Sequence, residues 1–181
     1  MIARAEADRR LFAETLACDD EFPFALRTAS SRYECLEAVR RSETTLRALG
    51  ALDDDGDGTE NVPPRIEAKI DLALGLLAIL AAREQIVAAP RRVRWSRLGF
   101  RAAWPAAFAV DAMLVCSIQL TPALPLPVEL PARVLACEAH DDAFVLWLEL
   151  AEATPALHSA IERELFRRHR RLVHEQRSAR T

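Results

Sequence analysis

The hydrophobic pattern of this 181-residue chain changes period at about Pro90, and that change requires an architecture of both helices and strands. Beyond Pro90, apolar residues alternate with polar ones, the period of a strand with one buried face. Leu98, Phe100, Ala102 and Trp104 fall on one such face. Leu114, Cys116, Ile118 and Leu120 share the next, and Phe144, Leu146, Leu148 and Leu150 a later one. Residues 128–139 add another extended stretch, whose Pro131 suits an edge or a bulge. Turn residues at 121–127 and at His140-Asp141-Asp142 separate these runs. Several short strands with no helix between them predict a small antiparallel β-barrel or curled sheet.

Before Pro90 the period is helical. Residues 3–18 are rich in helix formers and are expected to form one helix, ending at the acidic, proline-containing run Asp19-Asp20-Glu21-Phe22-Pro23. Ser31 with Glu34 three residues on has the form of a capping box, and Gly50 is placed to end that second helix. Leu36, Val39, Leu46 and Leu49 fall on one side of it. A third, long helix is expected over residues 63–87. Ile70, Leu74 and Leu77 make one stripe on it, while Leu72, Leu76 and Ile79 make another at 4-3 spacing, with Leu80 beside them. Between Ile70 and Ala82 only Asp71 and Gly75 interrupt the apolar run. A helix apolar nearly all round must be surrounded. Copies of itself are an obvious source of cover, because 4-3 spacing suits coiled-coil contacts. A last helix, residues 155–177, places Leu157, Ile161, Leu165 and Leu172 on one side. The expected fold class is α+β. Residues 1–89 form a helical oligomerisation region, and residues 90–181 form the small barrel with its C-terminal helix.

Charge and motif content narrow the function. The acidic excess lies in the first half of the chain and the basic excess in the second, so an anionic ligand belongs with the second. Cys18, Cys35, Cys116 and Cys137 are far apart, in no metal-ligand spacing, and read as reduced thiols of a cytoplasmic protein. The first ten residues lack a signal-peptide core, and the longest apolar stretch, 72–82, is too short to cross a bilayer, so no membrane insertion is expected. Asp53, Asp55, Asp57 and Gly58 lie in a loop that matches the first half of a calcium loop, but Pro64 stands where the bidentate carboxylate belongs. His140, His158, His169 and His174 include no i, i+4 metal pair, and no phosphate-binding loop or nucleophile elbow occurs. The sequence therefore reads as non-enzymatic, without metal or cofactor. Arg167-Arg168-His169-Arg170-Arg171 is diluted by Glu162, Glu164 and Glu175 and lacks stacking aromatics, which argues against nucleic acid.

The segment Arg91-Arg92-Val93-Arg94-Trp95-Ser96-Arg97-Leu98-Gly99-Phe100 is the most informative. Serine and glycine stand at a strand junction flanked by arginines, a plausible anion site because guanidinium groups pair bidentately with phosphate and stack on purines. Ser96-Arg97-Leu98-Gly99 resembles the S-x-x-G half of the (D/N)-x-S-x-x-G motif of PilZ domains, many of which bind cyclic di-GMP. The strands that follow and the arginine-rich last helix come in the matching order over about residues 90–176. Two departures stand out: Arg94 replaces the Asp or Asn, and no R-x-x-x-R precedes it. With the apolar helix 63–87, the pattern is similar to the tetrameric atypical PilZ subgroup. The resemblance implies a homo-oligomeric, tetrameric adaptor that acts through protein partners in cyclic di-GMP-linked motility, type IV pilus or virulence signalling. It implies absent or weak dinucleotide binding, with Arg91, Arg92, Arg94, Ser96 and Gly99 as a vestigial ligand segment. A receptor that uses this segment directly is the alternative.

Overall fold

The computed structural model describes residues 3–53, 77, 88–121 and 127–178. Along them run α1 (Arg4–Phe12), β1 (Ala17–Thr28), α2 (Arg32–Asp53), β2 (Pro90–Ser96), β3 (Gly99–Trp104), β4 (Met113–Ile118), β5 (Val128–His140), β6 (Ala143–Leu150) and α3 (Pro155–Ser178). The six strands close into an antiparallel barrel in the order β1-β2-β3-β6-β5-β4, with β4 pairing back onto β1. Closure leaves no unpaired sheet edge.

The first helix is shorter than expected, and the reason is β1. Helix propensity over residues 13–18 is overridden by the alternation that follows, in which Cys18, Phe22 and Phe24 turn inward while Asp19 and Glu21 face solvent. Pro23 is tolerated because it stands where β1 changes partners. Residues up to Pro23 pair with β2, and from Phe24 onward the strand pairs with β4. The barrel therefore takes its first strand from within residues 1–89, a stretch expected to be helical. The expected helix 63–87, with Ile70, Leu72, Leu74, Leu76, Ile79 and Leu80, lies outside the described residues, as do positions 54–60 of the acidic loop. Leu77 is the one described residue of that stretch; it is helical and 61% exposed.

The expected strand faces form the core. Phe100, Ala102, Leu114, Cys116, Ile118, Leu146 and Leu148 are buried inside the barrel together with Trp95, Val128, Leu130 and Val134. The β5 bulge falls between Val134 and Ala136, while Pro131 sits within the β4–β5 pairing opposite Val115. Two helices complete this core. Val39, Leu46 and Leu49 of α2 and Leu157, Ile161 and Leu165 of α3 join it. Leu36, expected on the same side of α2, is 38% exposed, because the buried stripe runs instead through Cys35, Ala38, Val39 and Ser42. Gly50 does not end α2, which continues to Asp53. Helix α1 packs elsewhere. Its Ala7 and Leu11 form a separate buried cluster with Leu135, Ala136 and Trp147 on the outside of the barrel.

The start of α2 keeps half of the capping box. Ser31 Oγ accepts the Glu34 backbone N–H at 3.2 Å. The Glu34 carboxylate accepts from the Ser30 backbone N–H at 2.6 Å and from the Ser30 hydroxyl at 2.7 Å, and pairs with Arg27. The Ser30 hydroxyl and amide, then Arg27, hold Glu34 down to a pKa of about 2. A depressed carboxylate stabilises the fold above its unfolded pKa, and that contribution disappears as pH falls through the folded value. The stability difference between the wild type and Glu34→Gln should therefore be constant above about pH 5 and shrink to nothing towards pH 2, as read by urea denaturation at stepped pH.

Candidate functional site

Strands β2 and β3 form a hairpin whose last pair is Ser96 and Gly99, with Arg97 and Leu98 in the turn. Ser96 is completely buried. Its hydroxyl accepts the Leu98 backbone N–H at 3.0 Å, which closes the turn, and donates to the Leu11 carbonyl of α1 at 2.7 Å. Gly99 faces the same helix. A Cβ at position 99 would lie 2.1 Å from the Leu148 carbonyl oxygen and 2.9 Å from Leu11 Cδ2. The serine and the glycine are thus both consumed by the chain itself: one ties down the end of α1, and the other makes room for it.

Three further contacts seat α1. Asp8 accepts the Trp147 indole N–H at 2.7 Å and two hydrogen bonds from Arg101 at 3.0 and 3.1 Å. Arg10 pairs with Glu149 at 2.6 Å, and Glu149 also holds Arg133 at 2.7 Å. The Arg94 guanidinium lies over the Phe12 ring, 5.2 Å from its centre. Burying the Leu11 side chain is worth roughly 2 kcal/mol, whereas ordering each residue of a nine-residue helix costs about 1–2 kcal/mol. The polar anchors therefore decide whether α1 stays down. Ser96→Ala would leave the Leu98 amide and the Leu11 carbonyl without their partner. We expect a loss of about 1–2 kcal/mol in chemical denaturation, with the barrel's near-ultraviolet circular dichroism retained.

The arginines expected to accompany this junction do not converge on it. Arg91 is on the inward side of β2, its guanidinium 4.5 Å from the centre of the Trp104 ring. Arg92, with 93% of its side chain exposed, stands 3.9 Å from Glu21, and Arg94 stands 3.7 Å from Asp19. Arg92, Arg94 and Arg101 line a groove of about 550 Å³ on the outer face of the sheet, with Asp19, Asp20 and Glu21 along its other side. Each outward arginine of β2 faces an acid across the β1–β2 ladder, so the groove carries both signs and no strong positive field. Of the five residues expected to form a ligand segment, the structure places two beneath α1, two in this groove and one on the opposite face of the strand. Asp8, Leu11, Arg101 and Trp147 were not foreseen. The Ala7–Leu11 spacing shows that α1 has an apolar side, but no local pattern says what that side meets.

Part of the basic cluster of α3 is turned inward. Arg167 and Arg168 pair with the buried Glu164, and Arg168 also donates to the Leu120 carbonyl. Arg168 reaches within 3.6 Å of Asp20, which accepts the Trp95 indole N–H at 2.7 Å, and its guanidinium lies 5.6 Å from the centre of the Trp95 ring. Arg168 thus fastens α3 to the barrel, while Arg167 pairs with Glu164 along the helix. Cys18 and Cys116 are raised above the ordinary thiol range, in both cases chiefly through burial, which keeps them protonated core residues. Among the described residues no group of histidine, cysteine and carboxylate side chains could hold a metal ion, and no helix is long and apolar enough to cross a membrane.

Residues 43–178 match the family described as "Atypical PilZ domain, cyclic di-GMP receptor". Among solved structures, a pathogenic protein from Xanthomonas campestris superposes with a TM-score of 0.85 at 33% identity, over 94% of this chain and 97% of that one. That protein is described as a new tetrameric PilZ domain self-assembled via an unusual helical bundle. No curated protein matches the chain.

Proposed function

The chain belongs to the atypical PilZ domain family, and on that premise we propose that it is an oligomeric, non-enzymatic signalling adaptor in cyclic di-GMP pathways that does not itself hold the dinucleotide tightly. One observation carries the second half of this reading: the S-x-x-G junction is filled by α1. The Ser96 hydroxyl is spent on Leu11, and the space before Gly99 is occupied by the Leu11 side chain. A ligand reaching this junction would first have to remove a helix held by Asp8, Arg10 and Leu11. Arg94 adds to the argument, since it presents a cation over Phe12 at the position where the ligand-binding motif carries an Asp or Asn. The adaptor then works through protein contacts, in motility, type IV pilus or virulence signalling.

Oligomerisation rests on the apolar sequence around Ile70, Leu72, Leu74, Leu76, Leu77, Ile79 and Leu80 and on the tetrameric relative. Leu77 supports it directly, being a large apolar side chain on a helix and mostly exposed in a single copy. Multi-angle light scattering should return a mass of four 20.2 kDa chains, and a monodisperse single-chain mass would refute the assembly. Replacing Leu77 and Leu80 together by glutamate should shift the mass to that of the monomer.

The alternative, a receptor that binds cyclic di-GMP through residues 91–99, has one observation in its favour. Three arginines do share a groove large enough for part of a dinucleotide. If that groove is the site, Arg92→Glu with Arg94→Glu will abolish a measurable affinity; on the adaptor reading there is none to abolish.

A further inference from the structure

The barrel face beneath α1 is built like a receptor for a helix. Its floor is apolar, made by Leu135, Ala136 and Trp147, and it would be bare if α1 were lifted. Around that floor stand donors aimed at the helix: the Trp147 indole N–H, the Arg101 guanidinium and the Ser96 hydroxyl. The helix meets them as a bound peptide would. Ala7 and Leu11 are apolar anchors at i, i+4 spacing, Asp8 supplies a carboxylate to two donors, and the last-turn carbonyl of Leu11 takes the serine.

As a permanent cover α1 is poorly made. It has nine residues, its N-cap Ala3 offers no side-chain hydrogen bond, and a segment of that length does not hold a helix without its dock. It reaches the barrel through only residues 13–16. Short elements with few buried side chains open at much lower cost than the core they cover.

We propose that this face is a docking site for an amphipathic helix of a partner protein, with α1 as the built-in occupant that must leave before the partner can bind. The partner's chemistry is written in α1: a small and a large apolar residue four apart, and a carboxylate directly after the first. Arg101, which holds that carboxylate in α1, selects a helix carrying it over a basic one. This rests on the adaptor reading and supplies the surface through which such an adaptor acts.

The test uses the full chain and a fluorescein-labelled peptide of residues 3–13 followed by fluorescence anisotropy. In the wild type, tethered α1 competes at an effective concentration of order mM, so Leu11→Asp, which ejects α1, should bind the peptide at least about tenfold more tightly. Adding Arg101→Glu should erase that gain. Equal affinity for the wild type and Leu11→Asp, or a gain that survives Arg101→Glu, would overturn the proposal. A measurement on the wild type guards against misfolding of the variants. Native-state hydrogen exchange should release the amides of Leu11 and Phe12 at least about tenfold faster than those of Leu146 and Trp147 beneath them. Exchange of α1 only at the rate of the barrel core would equally refute an exchangeable helix. None of these readings involves cyclic di-GMP or the oligomeric mass, so failure here is distinct from failure of the adaptor reading.

Discussion

Gly99→Ala will lower the midpoint of thermal unfolding by about 6–12 °C, a loss of about 3 kcal/mol for a chain of this size. The backbone at position 99 does not need glycine for its dihedral angles, since no glycine among the described residues has a positive φ. It needs glycine for space. The added Cβ meets a backbone carbonyl, Leu148, at 2.1 Å, far inside van der Waals contact, and that oxygen is fixed in the β3–β6 ladder. Leu11 can move aside by lifting α1, but Leu148 cannot move without parting two strands. The substitution should therefore destabilise the barrel as well as the helix. A midpoint unchanged within 2 °C would mean that β3 and β6 are farther apart than described.

Trp95→Ala should be at least as damaging, costing about 3–5 kcal/mol in urea denaturation. Trp95 is 1% exposed, packs edge-on against Phe22, and donates its indole N–H to Asp20. Truncation opens a cavity in the barrel and leaves the Asp20 carboxylate with Arg168 alone. Trp95→Phe separates the two contributions. It keeps most of the apolar volume and loses only the hydrogen bond, so a loss of about 1–2 kcal/mol is expected. Equal losses in Ala and Phe would show that the polar network linking β1, β2 and α3, rather than packing, holds this end of the barrel.

Much of the barrel is legible in the sequence because period-2 alternation survives wherever one face is buried and the other wet. The face through Phe100 and Ala102 is of that kind, whereas on β4 and β6 Val115 and Trp147, on the opposite side from Leu114 and Leu146, are buried as well. Strand β1 carries the same signal in Cys18, Phe22 and Phe24, but helix formers before it and Pro23 within it point the other way. Tertiary pairing with both β2 and β4 decides the matter, and no local pattern contains that pairing. For α2, Ser31 marks the start correctly, whereas Gly50 is a poor guide to the end, since the helix continues to Asp53. The candidate site was legible in composition and not in role. Ser96 and Gly99 do form a special junction, but their partner is Leu11, 85 positions from Ser96 along the chain, and a contact of that span leaves no trace in the motif. The arginines diverge for a simpler reason. Consecutive strand residues point to opposite faces, so Arg91 cannot share a site with Arg92 on β2.

The central claim, that α1 occupies the place where a dinucleotide would need to sit, is tested most directly by isothermal titration calorimetry of cyclic di-GMP into the full-length wild type. Without a converged arginine pair the ligand loses phosphate contacts and stacking, each of order 1 kcal/mol or more, and must also displace α1. The expected outcome is no saturable heat, or a Kd weaker than about 10 μM. A submicromolar Kd with one ligand or two per chain would contradict the account.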